Sequence, residues 1–226
     1  MAGPLSPEQL EELRKISTPT ISNAIETFDV RPRNEGFMNP EVKCILPELG
    51  PMVGYAVTAT YIASRPATEK EDGMDRELWK HVLATPAPRV VVVQDLDNPP
   101  GVGSLWGEVN GTIHKALGCV GTVTNGGVRD LDEVRAMGFH FFAACVVPSH
   151  AYVHVVEVGK PVRIAGLTVR PGDLLHGDKH GIVIIPHEIA AEVAARAREV
   201  EEGERTIIDF FRSPDFSPEK VINVQH

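Results

Sequence analysis

A single α/β domain is the fold class that this sequence predicts. Apolar residues recur at helical spacing near both ends of the chain, and runs rich in β-branched residues fill the stretch between them. The 226 residues are enough for one good core and somewhat short for two, and no linker, internal repeat or low-complexity segment divides them.

The elements follow in order. Ser6-Pro7-Glu8-Gln9 combines a capping serine, a proline at the first helical position and a returning glutamine, which starts a helix carrying Leu10, Leu13 and Ile16 inward. Thr18-Pro19-Thr20 interrupts it, and a second helix follows with Ile21, Ala24, Ile25 and Phe28 on one face. Strands are expected over residues 53–62 and 90–94. Residues 112–118, with Ile113, Ala116 and Leu117 on one side, form a short helix, and 119–124 a buried strand. Another helix begins at Leu131 with Val134 and Met137 inward.

Strands then dominate. Residues 139–147 and 153–158 are expected to be extended, and 166–170, the turn Pro171-Gly172-Asp173 and 182–185 continue the sheet. Ile189, Val193, Ala197 and Val200 mark a final amphipathic helix. Beyond it, Ile207, Ile208, Phe210 and Phe211 form an apolar cluster in a tail, residues 205–226, too short to bury itself, so a neighbouring subunit is its expected cover.

The formal charge of −9 argues against nucleic acid as a partner while leaving a protein partner open. Cys44, Cys119 and Cys145 are widely spaced, with Cys119 and Cys145 inside apolar runs, and read as buried thiols of a reducing compartment rather than a disulfide framework. Met1-Ala2-Gly3-Pro4 has neither a basic start nor an apolar run, and no stretch of about 18 apolar residues occurs, so a cytoplasmic protein without membrane association is expected.

Chemistry concentrates between Gly107 and Asp130. A helix followed by an adjacent strand returns the chain to the end it came from, so Glu108 at the helix start can meet Arg129 and Asp130 after the strand. Gly126 and Gly127 permit backbone angles closed to other residues and close approach to a ligand. Arg129 offers a planar fork for a carboxylate, and Asp130 a hard oxygen for a magnesium-like cation. A plainer account is available for each. Asp130-Leu131-Asp132-Glu133 is also a capping box, Arg129 could be a surface ion-pair partner, and an acid such as Glu108 is common in a first helical turn.

Other signals are weaker. His150 with His154, and His176 with His180, recur at a spacing of four, but no helix is expected at either place: the first pair enters a strand and the second occupies a turn before one, so zinc is not expected. These histidines either line the distal part of the pocket, binding a second substrate carboxylate, or are satisfied by turn backbone. Gly101-Val102-Gly103 misses the dinucleotide fingerprint in spacing, which argues against a nicotinamide cofactor. Asp95 and Asp97 could be metal ligands at a strand end, though solvated turns are the commoner case, and Trp106 either walls the pocket or packs.

Gly107-Glu108 followed by Gly126-Gly127-Val128-Arg129-Asp130, with Ile21-Ser22-Asn23-Ala24, Lys115-Ala116-Leu117-Gly118-Cys119-Val120-Gly121, Pro171-Gly172-Asp173 and His180-Gly181-Ile182-Val183-Ile184-Ile185-Pro186, resembles the regulator of ribonuclease activity A superfamily. That superfamily includes the class II 4-hydroxy-4-methyl-2-oxoglutarate/4-carboxy-4-hydroxy-2-oxoadipate aldolases. The resemblance implies a swivelling β/β/α-like domain, with a central strand sandwich or barrel and outer helices, assembled as a homotrimer or hexamer.

For the aldolase branch, the resemblance implies that Asp130 ligates Mg²⁺ or Mn²⁺ and Arg129 holds the oxygens of pyruvate. It further implies that the backbone amides of Val109 and Asn110 receive the pyruvate carboxylate. Glu108 holds metal-bound waters, and a glutamate from a neighbouring subunit's last helix completes the site; Glu199, Glu201, Glu202 and Glu204 compete for that place, with Glu202 favoured. Two positions depart from the aldolase pattern: Glu108 stands where Asp is common, and Asn125 replaces a frequent Asp. The expected activity is a metal-dependent retro-aldol cleavage of a 4-hydroxy-2-oxo acid to pyruvate, with oxaloacetate decarboxylation as a companion reaction and Glu108 managing protons. The other branch implies a non-enzymatic regulator that binds a ribonuclease.

Overall fold

The computed structural model describes residues 3–214 and 216–218. Its strands are β1 (Lys43–Cys44), β2 (Met52–Ile62), β3 (Arg89–Asp95), β4 (Cys119–Thr124), β5 (Gly127–Val128), β6 (His140–Ala143), β7 (Cys145–Val146), β8 (His154–Val158), β9 (Val162–Ile164), β10 (Leu167–Val169), β11 (Leu174–Asp178) and β12 (Gly181–Ile185). The helices are α1 (Pro7–Arg14), α2 (Thr18–Glu26), α3 (Met74–Ala84), α4 (Glu108–Ala116), α5 (Leu131–Met137) and α6 (Ala190–Arg212).

Eight strands form one sheet in the order β1-β6-β4-β3-β2-β11-β12, with β8 also paired to β2, and it curls into a nearly closed barrel. Strands β2, β3, β4 and β6 run parallel, joined by α3, α4 and α5 as three successive crossovers. β2 is long enough to pair with β3 along one edge and with two strands on the other, β11 near its start and β8 near its end.

Side-chain alternation along β2 explains the layers. Val57, Ala59 and Tyr61 enter a core with Leu78 of α3 and Val134 of α5, while Val53 and Tyr55, of the same parity, enter a second core with α1, α2 and α6. Met52 and Ala56 point the other way, into a third core with Val90, Val92, Phe142 and Leu175, over which the β9–β10 hairpin brings Val162, Ile164, Leu167 and Val169. A strand covered on both faces needs apolar residues at nearly every position, which is why β2 and β3 read as continuous runs.

The first helix is capped as its sequence predicts: the Ser6 hydroxyl accepts from the Gln9 N–H, and the Gln9 side chain accepts from the Ser6 N–H. The second begins earlier than expected. Ser17 is its cap, so Pro19 lies inside its first turn, where a missing N–H costs no helical bond. Three further differences have physical causes. The helix α3 was not foreseen, because only Leu78 and Val82 anchor it and its cap, Gly73, offers no side-chain acceptor. The expected strand 139–147 is broken at Ala144 into β6 and β7. The expected tail is helical at its start: α6 runs through Arg212, so Ile207, Ile208, Phe210 and Phe211 lie on it, with Phe210 edgewise to Phe211 and Phe216 and Phe211 tilted against Phe216. Residues 219–226 of that tail lie outside the described part.

All three cysteines are free. Cys119 is buried, and desolvation pushes its thiol up to about 12, whereas Cys44 and Cys145 are only half-buried, less than expected. No helix among the described residues is long and apolar enough to cross a membrane.

Candidate active site

The strands β3 and β4 run the same way, so the loops leaving their carboxyl ends share one end of the sheet. The first of these loops leads into α4 and the second into α5, which brings the two helix starts together. A single bridge between Trp106 and Val128 fixes the register, and the Arg129 N–H donates to the Trp106 carbonyl at 3.0 Å. Gly107 is thereby set against Arg129 and Asp130.

Asp130 is the anomaly of this end. It is a non-glycine residue in the left-handed region, with φ +54°, and it precedes α5 without capping it by its side chain. The capping box that the sequence also allowed is therefore not formed. Its carboxylate turns back instead, and Oδ2 accepts from the Glu108 N–H at 2.9 Å and lies 3.8 Å from Arg129 Nε. A Cβ on Gly107 would overlap Oδ2 and press on Arg129. Both side chains are about one-third exposed. Oδ1 of Asp130 has no protein donor among the described residues, so one hard anionic oxygen is open.

Beside this pair lies a cleft of about 190 Å³ lined by Ser104, Leu105, Gly107, Val109, Asn110, Arg129, His150 and Val153. At the start of α4 the Glu108 amide is taken by Asp130 and the Gly111 amide by the Gly107 carbonyl at 2.9 Å. The amides between them, of Val109 and Asn110, have no protein acceptor among the described residues, as expected for a helix N-terminus. The Asn110 side chain donates to the Leu105 carbonyl at 2.6 Å, holding this first turn to the loop before it. Two open amides and the Arg129 guanidinium on one cleft make an anion cradle.

The structure thus brings together Glu108, Val109, Asn110, Arg129 and Asp130. It does not bring Glu202 to them within one chain, because α6 packs on α1 and α2. Glu199 is paired with Arg196 and Glu204 accepts from Asn23, leaving Glu201 and Glu202 as candidates without side-chain partners among the described residues.

The glycines act differently from expectation. Neither Gly126 nor Gly127 has positive φ; both are needed for space, Gly126 against Tyr61 and Asp95 and Gly127 against Val147. Gly126→Ala should lower unfolding free energy by about 1–3 kcal/mol through overpacking, with part recovered in Gly126→Ala/Tyr61→Phe. Urea denaturation of the three proteins checks this, and equal stability of the single and double variants would refute the clash.

Asp95 and Asp97 are not solvated turn residues. Both are buried, Asp95 accepting from the amides of Gly101 at 2.7 Å and Asp97 at 2.9 Å and from the Tyr61 hydroxyl at 3.1 Å, and Asp97 from the amide of Ala63 at 2.8 Å. They shape the loop rather than open toward a ligand. The Asn125 amide pairs at two points with the Asp95 backbone, at 2.8 and 3.0 Å, a donor-plus-acceptor contact that a carboxylate could not make. Trp106 is fully buried and packs against His114 and Phe139.

The histidine pairs separate. His176 is not in a turn: it lies on β11, fully buried between the Thr18 hydroxyl and the Leu13 carbonyl, each at 3.0 Å, and desolvation lowers its pKa. His180 contacts Asp178 at 3.0 Å and His154 approaches Glu71 at 3.4 Å. His150 alone lines the cleft.

The fit to a divalent cation can be judged from the donors. Among the described residues no three His, Cys, Asp or Glu side chains converge. A magnesium-type ion that keeps several waters and takes only one or two carboxylates plus substrate needs no such cluster, and Asp130 with Glu108 nearby suits it.

A nearly closed, helix-wrapped α/β barrel with an anion cradle and an open carboxylate at two adjoining helix starts is the class of domain defined here. The chain belongs to the RraA-like family, described as Aldolase/RraA, which it matches over residues 18–184. It is 32% identical to the uncharacterized protein MJ0644 of Methanocaldococcus jannaschii over 46% of this chain and 50% of that protein. It is also 30% identical, over 42% of this chain and 48% of the other, to a Halalkalibacterium halodurans protein provisionally named 4-hydroxy-4-methyl-2-oxoglutarate aldolase. The matches thus span about half the length of these curated relatives. Among solved structures, an uncharacterized protein from Pseudomonas syringae superposes with a TM-score of 0.74 at 26% identity, covering 99% of this chain and 97% of that one. Streptomyces coelicolor RraAS2, described as an unusual member of the RNase ES inhibitor RraA protein family, superposes with a TM-score of 0.69 at 22% identity, covering 91% of this chain and 98% of that one, and shares the fold.

Proposed function

We propose that this protein is a divalent-metal-dependent lyase that cleaves a 4-hydroxy-2-oxo acid of the 4-hydroxy-4-methyl-2-oxoglutarate type to release pyruvate, and that also decarboxylates oxaloacetate. The observation that carries the proposal is Asp130: a carboxylate held in an uncommon backbone conformation, not used as a cap, and aimed back beside Arg129 over a glycine. Strained residues held by their surroundings concentrate at functional sites. The name of the Halalkalibacterium halodurans relative points the same way.

In this proposal the open amides of Val109 and Asn110 and the Arg129 fork bind the substrate's carboxylate and 2-oxo group. Asp130 directly, and Glu108 and Glu202 of a neighbouring subunit through water, would hold Mg²⁺ or Mn²⁺; when bound, the ion supplies Lewis-acid polarisation of the carbonyl. As the C3–C4 bond breaks, negative charge moves onto the oxygen at C2, where Arg129 and the amides stabilise it. Glu108, in this proposal, delivers the proton that C3 needs. Decarboxylation of oxaloacetate develops the same charge, so the same residues serve both reactions. The proposed assembly is a cytoplasmic homotrimer or hexamer, which would cover the apolar residues near the end of α6.

The test is pyruvate formation from 4-hydroxy-4-methyl-2-oxoglutarate and from oxaloacetate with Mg²⁺, Mn²⁺ or chelator. Release should require the ion, and Arg129→Ala should lose both reactions by on the order of 10³-fold. Turnover preserved in chelator, or in Arg129→Ala, would overturn the assignment. The ribonuclease-regulator alternative has support from fold alone.

A further inference from the structure

The cleft contains a group that the family resemblance does not assign. His150 stands on the loop between β7 and β8, remote in sequence from Glu108 and Arg129, yet it lines the cleft with Val109, Asn110 and Arg129. Its position is built. Gly103 has no room for a Cβ, because the His150 carbonyl and the Ala151 side chain press against it, and the Ser104 N–H donates to the Ser149 carbonyl at 3.0 Å. Ala151 is held at φ +48°, uncommon for alanine, with its N–H on the Ser149 hydroxyl at 3.0 Å. The Val153 N–H closes the turn on the His150 carbonyl at 3.1 Å.

The ring is oriented as well. Nδ1 lies 2.7 Å from the Ala151 carbonyl, which can only accept, so Nδ1 carries the proton. In the neutral ring Nε2 is then a lone-pair acceptor, and it has no protein partner among the described residues. A histidine with one nitrogen anchored to an acceptor and the other free is arranged as a general base.

We propose that His150 is the base that takes the C4 hydroxyl proton in the retro-aldol cleavage. This rests on the lyase proposal. Nε2 removes the proton from the C4 oxygen and the O–H pair becomes the second bond of the new carbonyl. The C3–C4 pair moves to form the C2–C3 double bond, and the C2 carbonyl pair moves onto its oxygen. The imidazolium so formed is stabilised through Nδ1–H by the Ala151 carbonyl, and a proton added at C3 completes pyruvate. Oxaloacetate has no C4 hydroxyl, so its decarboxylation does not use this base.

The experiment compares kcat for 4-hydroxy-4-methyl-2-oxoglutarate cleavage and for oxaloacetate decarboxylation in wild type, His150→Ala and His150→Gln. The ratio of the two should fall at least about 10²-fold in both variants. Glutamine keeps a polar group of similar reach but cannot take a proton, so it should not rescue cleavage. A merely structural His150 would lower both reactions together, and a merely positioning one would be rescued by glutamine or would change KM alone. Either result overturns the proposal. Absence of both reactions in the wild type would instead refute the lyase proposal on which it rests.

Discussion

Asp130→Asn should abolish metal-dependent pyruvate release from both substrates, by at least on the order of 10³-fold, while leaving the fold in place. Asparagine is the informative replacement because it tolerates the left-handed conformation that Asp130 occupies, and its amide oxygen can still accept from the Glu108 N–H. Only the negative charge and one anionic oxygen are removed. The contact is partly exposed, so stability should stay within about 0.5 kcal/mol of wild type. Steady-state kinetics with saturating Mg²⁺ or Mn²⁺, together with urea denaturation, checks both parts. An asparagine variant retaining a substantial share of wild-type turnover would show that the carboxylate is not the cation's ligand.

Gly107→Ala should cost about 10²-fold in kcat/KM for both substrates although no functional side chain is altered. The backbone at Gly107 is extended, with φ −157°, so alanine brings no torsional penalty there. What it brings is a methyl group in the space that Asp130 Oδ2 occupies, hard against the Arg129 side chain. Anion fork and carboxylate must then move together. Unchanged kinetics in a folded Gly107→Ala protein would mean that this arrangement is not the one that turns over.

Much of the fold was legible because burial on both faces leaves long apolar runs, as in β2 and β3, and because the cap of α1 is written in Ser6-Pro7-Glu8-Gln9. Helix α3 was not, since two buried anchors give too short a periodic signal. His176 and Asp95 look like polar punctuation in the sequence. Their burial depends on partners supplied by distant segments, Thr18 and Leu13 for the one, Tyr61 and Gly101 for the other.

The site divides along the same line. Glu108, Arg129 and Asp130 belong to one local stretch whose helix–strand return could be anticipated. The reason for Gly107 and Gly126 could not: each is a matter of missing volume beside a side chain from elsewhere, not of backbone angle. His150 enters through the contact of its loop with Gly103, a meeting that no local pattern encodes.

That meeting also joins the two walls of the cleft into one frame. The Ser104 hydroxyl donates to the Trp106 carbonyl and accepts from the Trp106 N–H while the Ser104 N–H holds the Ser149 carbonyl, and the Val147 N–H donates to the Val128 carbonyl, so the loop at His150–Ala151 hangs from the same bridge that sets Arg129. A backbone change in the wall facing the departing fragment is therefore carried to the grip on the retained one. Such a protein would exchange one substrate tail for another by replacing side chains on that wall, not by rebuilding its loop.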